Sequence, residues 1–311
     1  MTSSRSLLAA GAVLAVTALA AGCGSSDADG GADDGTISVV ASTNVWGSVA
    51  RAVGGADIEV TSLIADPAAD PHSYADKPED AVTVGNADLA VYNGGGYDDF
   101  FGKLVENAGQ QRSIVAFDLS GKGEPAAAED EGHEHGEVNE HVWYDLPTVR
   151  KVADKIAVEL GTVAPDKQAA FAENAKAFDT KLTELEGQAK QIGQARPGAS
   201  VVATEPVAGY LLETAGLTDA TPPEFSEAVE EETDPSAAAI ARITELVSGK
   251  QVAAVVNNAQ TATPVTKSLV ETATSAGVPV VGVTETLPAG VTDYVEWMTK
   301  QIGDLTTALG S

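Results

Sequence analysis

The 311-residue chain carries 18 Lys+Arg against 46 Asp+Glu, a formal net charge of -28 at pH 7. That balance argues against a nucleic-acid partner, because phosphate recognition relies on lysine and arginine. A hydrophobic content of 43% suits a globular protein, and the single cysteine, Cys23, rules out an internal disulfide.

Residues 1–23 read as a leader outside the fold. Arg5 is the only charge before Cys23, residues 7–19 are almost all Leu, Ala, Val and Gly, and Ala20-Ala21-Gly22 lead into the cysteine. A charged start, a short apolar stretch and a small-residue cleavage site make a secretion signal. The apolar stretch is too short for a comfortable membrane span. The leader resembles a bacterial lipoprotein signal, with Ala20 where leucine is usual. That resemblance implies a lipid anchor on Cys23 and an extracytoplasmic location at the cell membrane. Residues 24–35 are acidic and glycine-rich, and are expected to form a flexible tether.

Apolar runs at 37–41, 58–64, 89–92 and 114–117 read as strands separated by helix-like stretches. Such continuous runs suggest a parallel sheet with helices on its faces. The third run ends in Asn93-Gly94-Gly95-Gly96. Residues 120–140 have no apolar period and are expected to be a mobile loop, with His133 and His135 among carboxylates. A helix is predicted over 147–160 and a longer one over 165–194, opened by Pro165. In the longer helix Phe171, Ala175, Phe178, Leu182, Leu185, Ala189 and Ile192 step by four and three and mark one face. At 1.5 Å per residue it would be roughly 45 Å long, enough to span two lobes. The C-terminal half repeats the logic, with strands at 200–203, 252–256 and 280–283 and helices at 207–215, 235–246, 263–276 and 294–303. Pro222-Pro223 and Glu230-Glu231-Glu232 read as a surface loop. The expected fold is α/β in two lobes, 36–146 and 196–311. Each is a mostly parallel sheet flanked by helices, and connecting helices over 147–195, one long and rigid, join them.

Four residues stand out as metal ligands: His72 in Asp-Pro-His-Ser-Tyr, His141 in Asn-Glu-His-Val-Trp-Tyr-Asp, Glu205 in Ala-Thr-Glu-Pro-Val and Glu285 in Val-Thr-Glu-Thr-Leu-Pro. The chain has only four histidines. Singly, each has an ordinary reading as an exposed histidine, a solvated acid or a helix cap. Context changes the weight. His72 follows the second strand, Glu205 the first C-terminal strand and Glu285 the last, while His141 follows the 120–140 loop. Ligands of open α/β sheets bind beyond the carboxyl ends of strands. A carboxylate there is costly to bury unless a cation pairs with it. Two imidazoles and two carboxylates complete a four-ligand shell for a divalent transition metal.

From about Thr36 onward the chain resembles the zinc- and manganese-binding group, cluster A-I, of ABC-transporter solute-binding proteins. The resemblance rests on Asp70-Pro71-His72-Ser73-Tyr74, on Ala-Asp-Leu-Ala-Val-Tyr-Asn-Gly at 87–94, and on His141-Val142-Trp143-Tyr144-Asp145. Glu205 with Gly209-Tyr210-Leu211, and Asn258-Ala259-Gln260-Thr261, complete it. It implies two lobes joined by a rigid helix, with His72, His141, Glu205 and Glu285 as ligands. It further implies a Zn2+ or Mn2+ ion as cargo, an ABC permease as membrane partner and no enzymatic activity; a monomer is expected. Asn139-Glu140 depart from the usual Asp-Pro, and Glu285 stands where aspartate is common.

Carboxylates suit manganese, yet the Irving–Williams order lets zinc bind at least as tightly. His- and acid-rich loops like the one with His133 and His135 occur in the zinc-binding branch, so the balance leans to zinc, with manganese or iron uptake as the alternative. Asp145 is expected to orient the His141 imidazole, Asn258 and Gln260 to line the cleft, and Trp143 and Tyr74 to pack and exclude water. A metallohydrolase is a weaker reading, since the chain lacks His-Glu-x-x-His, Gly-x-Ser-x-Gly and a phosphate loop. A surface adhesin with an incidental metal is the third.

Overall fold

The structure, a computed structural model, describes residues 36–67, 69, 71–110, 112–123 and 138–310. The leader, the tether, Cys23, and most of the 120–140 segment with His133 and His135 lie outside the described residues.

β1 (Ile37–Thr43) is buried at almost every position, the pattern of a strand covered on both faces. It pairs in parallel with β2 (Ile58–Ile64) on one side and β3 (Leu89–Tyr92) on the other, and β4 (Ser113–Val115) follows, giving the order β2-β1-β3-β4. The second sheet has the same plan. β5 (Ser200–Ala203) lies between β6 (Thr218–Asp219) and β7 (Ala254–Asn258), with β8 (Val280–Val283) outside, all parallel. Strand order therefore reverses at β1/β3 and at β5/β7. Those switch points open a crevice at the carboxyl ends of the strands.

Helices cover the sheets: α1 (Asn44–Gly54), α2 (Pro78–Asn86), α3 (Asp99–Ala108) and α4 (Ala116–Ser120) in the first half. α5 (Leu146–Val163) and α6 (Gln168–Ala195) then connect to the second half, where α7 (Gly209–Thr214), α8 (Pro223–Glu230), α9 (Ala237–Ser248), α10 (Pro264–Ala276) and α11 (Tyr294–Leu309) follow. The 28 residues of α6 make a rod of about 42 Å. Its buried residues are the seven that the periodicity selects, Phe171 to Ile192, and they pack against α1, α5 and α11. One apolar core runs from Trp46 in α1 through Phe178 in α6 to Trp297 in α11. Smaller cores lie around Phe225, Ile243 and Leu269, and around Val84, Phe101 and Leu104.

Three expectations need correction. The run at 114–117 is strand only to Val115, because Ala116 opens α4. The strand expected at 252–256 is Ala254–Asn258, its end disguised by two asparagines. The stretch read as a surface loop from Pro222 to Glu232 contains α8, which Pro223 starts at a first-turn position and which buries Phe225 and Val229 four apart.

Hydrogen bonds tie the two halves together away from the long helix. Asn44 exchanges a pair with the Leu287 backbone, at 3.1 and 2.9 Å. Ser48 Oγ donates to Thr292 O at 3.0 Å and accepts from Tyr294 N at 2.8 Å. Tyr144 Oη donates to Thr284 O at 2.8 Å, and Tyr294 Oη to Trp143 O at 2.6 Å. Among the described residues, no helix is long and apolar enough to cross a membrane.

Candidate metal centre

The segment after β2 carries His72, and the turn after β3 builds the floor beside it. Gly94, Gly95 and Gly96 have φ of 75, 70 and 99°, which favours glycine. A Cβ on Gly95 would also lie 2.7 Å from the Phe117 ring. Asp98 seals this turn by accepting from Asn93 N at 2.8 Å and Gly94 N at 2.7 Å. Burial pushes the Asp98 carboxyl up to about 6 despite those bonds. The turn delivers Tyr97 between the rings that matter, with centroids 4.9 Å from His72, 5.9 Å from His141 and 4.4 Å from Trp143.

His141 precedes a 3-10 turn, Val142–Tyr144, and is 1% exposed. Its Nδ1 lies 2.7 Å from Asn139 Oδ1. Asn139 is oriented by its own Nδ2, which donates to Pro206 O at 2.8 Å. With that amide fixed, Nδ1–H donates and the Nε2 lone pair is left for a cation. Burial, reinforced by the charge of His72, lowers the His141 pKa to about 3. The ring is therefore neutral at pH 7 and offers a ligand atom without first losing a proton. Asp145, expected to orient this ring, instead caps α5 by accepting from Thr148 N at 3.2 Å, and pairs with Lys122 at 3.6 Å. Asn139 takes the orienting role.

The carboxylates come from the second sheet. Glu285 follows β8 and Glu205 follows β5; they are 2% and 5% exposed. Asn258, the last residue of β7, donates Nδ2 to Glu205 Oε2 and to Glu285 Oε1, each at 2.7 Å. Thr261 Oγ1 donates to Glu205 Oε1. Gln260 Oε1 accepts from the backbone N–H groups of Glu285 and Thr286, and its Nε2 donates to Thr286 Oγ1 at 2.8 Å and to Pro67 O. Gln260 lines the cleft as expected, whereas Asn258 is buried behind it, and both hold its carboxylates. Trp143 packs on His141 at 5.0 Å, whereas Tyr74 packs on Phe100 at 4.7 Å and donates to Asp80.

Of the four expected ligands, His72, His141 and Glu285 each present an atom within 4.8 Å of the other two. His72 Nε2 lies 4.0 Å from Glu285 Oε2. Glu205 sits outside that trio but lines the same 850 Å³ cavity as His72 and Glu285. A second trio, Glu140, His141 and Glu230, meets the same distance limit. Because His141 is neutral, its 3.9 and 3.7 Å approaches to Glu140 and Glu230 are not ion pairs at pH 7. The sequence reading missed Tyr97, Asn139, Glu140 and Glu230 as site residues. The Asn139-Glu140 departure and the acidic run at 230–232 were the available signals. Mixed imidazole and carboxylate donors suit zinc, manganese or iron.

Residues 39–308 match the family model described as zinc-uptake complex component A, periplasmic. The manganese ABC transporter substrate-binding lipoprotein scaA of Streptococcus gordonii is 31% identical over 183 residues, 58% of each chain. The iron ABC transporter substrate-binding lipoprotein MtsA of Streptococcus pyogenes serotype M1 is 30% identical over 190 residues, 60% of each chain. The matched region thus spans about three fifths of these relatives. The periplasmic zinc-binding protein TroA of Treponema pallidum superposes with a TM-score of 0.71 at 20% identity, covering 88% of this chain and 99% of that one. Zn(II)-bound AdcA of Streptococcus pneumoniae gives 0.64 at 23% identity, covering 89% of this chain and 58% of that one. At such identities these two superpositions establish the shared two-lobe fold.

Proposed function

The chain belongs to the zinc-uptake complex component A family, and from that premise we propose that it captures a divalent transition-metal ion outside the cytoplasm and passes it to an ABC permease. The observation that carries this reading is the convergence of His72, His141 and Glu285 within 4.8 Å at the switch points of two parallel sheets. Glu205 completes a four-residue set, held beside Glu285 by the shared Asn258 amide. Zinc is the tighter ligand at equilibrium, with manganese and iron bound more weakly, as the Irving–Williams order predicts. The relatives carry the names of substrate-binding proteins rather than enzymes, and the centre is read as a carrier site without catalysis. A lipid anchor at Cys23 and a monomeric state complete the proposal.

Capture proceeds by local movement. The ties from Asn44, Ser48, Tyr144 and Tyr294 oppose a wide opening of the lobes, and Gln260 pins the Glu285 backbone. The moving partner is then His72, which comes onto the ion. Crystals with and without metal test this: the lobes superpose while His72 moves, and a large rigid-body rotation of the lobes would overturn it. Competitive titration of the metal-stripped protein tests the function. One-to-one Zn(II) binding, weakened in His141→Ala and Glu285→Ala, is expected; a chain that binds neither Zn(II) nor Mn(II) refutes metal capture.

A further inference from the structure

Glu140 stands between the two imidazoles. Its Oε1 lies 3.9 Å from His72 Nε2; its Oε2 lies 3.9 Å from His141 Nδ1, the nitrogen that faces Asn139 rather than the ion. Glu285 Oε2 is at 4.0 Å from the same His72 nitrogen. An ion on His72 Nε2, at a bond length of about 2 Å, therefore has a carboxylate on either side within a small side-chain rotation.

The position is built rather than incidental. The Glu140 carbonyl accepts from Asn93 Nδ2 at 2.8 Å and from Val142 N at 2.7 Å. Asn93 is in turn held by Trp46 Nε1 at 3.3 Å and by the buried Asp98. The Glu140 side chain is only 15% exposed and faces His72. A 310 Å³ cavity lined by His72, Glu140, Glu227 and Glu230 opens onto it and gives ions an acidic approach.

Resting on the metal-capture reading, we propose that Glu140 is a further ligand of the captured ion, adding a carboxylate to His72, His141, Glu205 and Glu285. A tetrahedral zinc ion is satisfied by four donors and gains little from a fifth residue. Manganese(II) favours oxygen donors and a larger shell, and gains more. Glu140 thus narrows the gap between the two ions.

The test titrates the metal-stripped full chain with Zn(II) and with Mn(II) against a chromophoric chelator, in wild type, Glu140→Gln and Glu285→Gln, and melts each protein without metal. Glu140→Gln is expected to weaken Mn(II) on the order of tenfold and Zn(II) less than about threefold. The metal-free variant should melt no lower than wild type, since it has lost a crowded negative charge. Glu285→Gln should weaken both ions. Equal effects of Glu140→Gln on the two ions, no effect on either, or a depressed metal-free melting temperature would each overturn the assignment. Wild type that binds neither ion overturns metal capture itself, and is told apart by its own null titration.

Discussion

Replacing Asn258 by leucine removes the donor shared by two buried carboxylates while keeping the branching and heavy-atom count of the side chain. Its Nδ2 donates to Glu205 Oε2 and Glu285 Oε1, both at 2.7 Å. Hydrogen bonds to charged groups contribute about 1.5–3 kcal/mol each, so the loss is roughly 3–6 kcal/mol. The two acceptor oxygens lie at most about 5.4 Å apart, where like charges repel by about 3 kcal/mol at an effective dielectric constant near 20. With the amide gone that repulsion is met only by side-chain movement. For a chain of this size 1 kcal/mol corresponds to about 2–4 °C, so the metal-free variant should melt roughly 6–24 °C below wild type. On the proposed function, a captured cation would replace the amide as the common partner of both carboxylates. In saturating Zn(II) the deficit should therefore shrink to less than about half. Scanning calorimetry with and without metal makes the comparison. A deficit of the same size in both conditions would refute the idea that amide and cation hold the same carboxylates.

Other expectations follow from neighbouring contacts. Because the folded-state pKa of His141 is depressed to about 3, the unfolded chain binds the extra proton first, and metal-free stability should fall as pH drops from about 6.5 towards 3. Asp98, raised to about 6, works in the opposite direction between about 6 and 3.8; urea titrations of wild type and His141→Gln separate the two, and a wild-type advantage that does not shrink from pH 7 to 4.5 would refute the histidine assignment. Gly95→Ala forces a side chain onto φ 70° against Phe117 and should cost roughly 2–4 kcal/mol; a melting temperature within about 1 °C of wild type would contradict it. Gln260→Ala releases the Glu285 backbone and the tie to Pro67, so zinc should leave several-fold faster in stopped-flow chelation while the fold is kept; an unchanged off-rate would remove Gln260 from the retention of metal.

The sequence made the scaffold legible because its signals are periodic. Seven α6 residues announced one buried face, and continuous apolar runs announced parallel strands. Ligand candidates were legible because polar residues directly after such strands have few other reasons to be there. What failed was local chemistry with two outcomes. Asp145 precedes Leu-Pro-Thr, a helix-start pattern, and its carboxylate went to Thr148 rather than to the histidine four residues earlier. Pro222-Pro223 suggested a loop, yet Pro223 opens a helix. Tyr97 carries no local mark, and the acidic run at Glu230 does not say which part of the fold it meets. Tyr97 reaches the histidines only because three glycines take positive φ, and Glu230 only because α8 ends over His141.

The buried stripe of α6 has a consequence for how the protein comes apart. Because the same helix completes the main apolar core on both sides, each half without it keeps only its smaller core. Unfolding should be a single cooperative transition, with no half-molecule surviving on its own. A protease that cuts near the middle of α6 would destroy both halves at once, whereas cuts elsewhere in exposed loops leave a nicked but assembled protein. Resistance to degradation then rests on one helix of 28 residues.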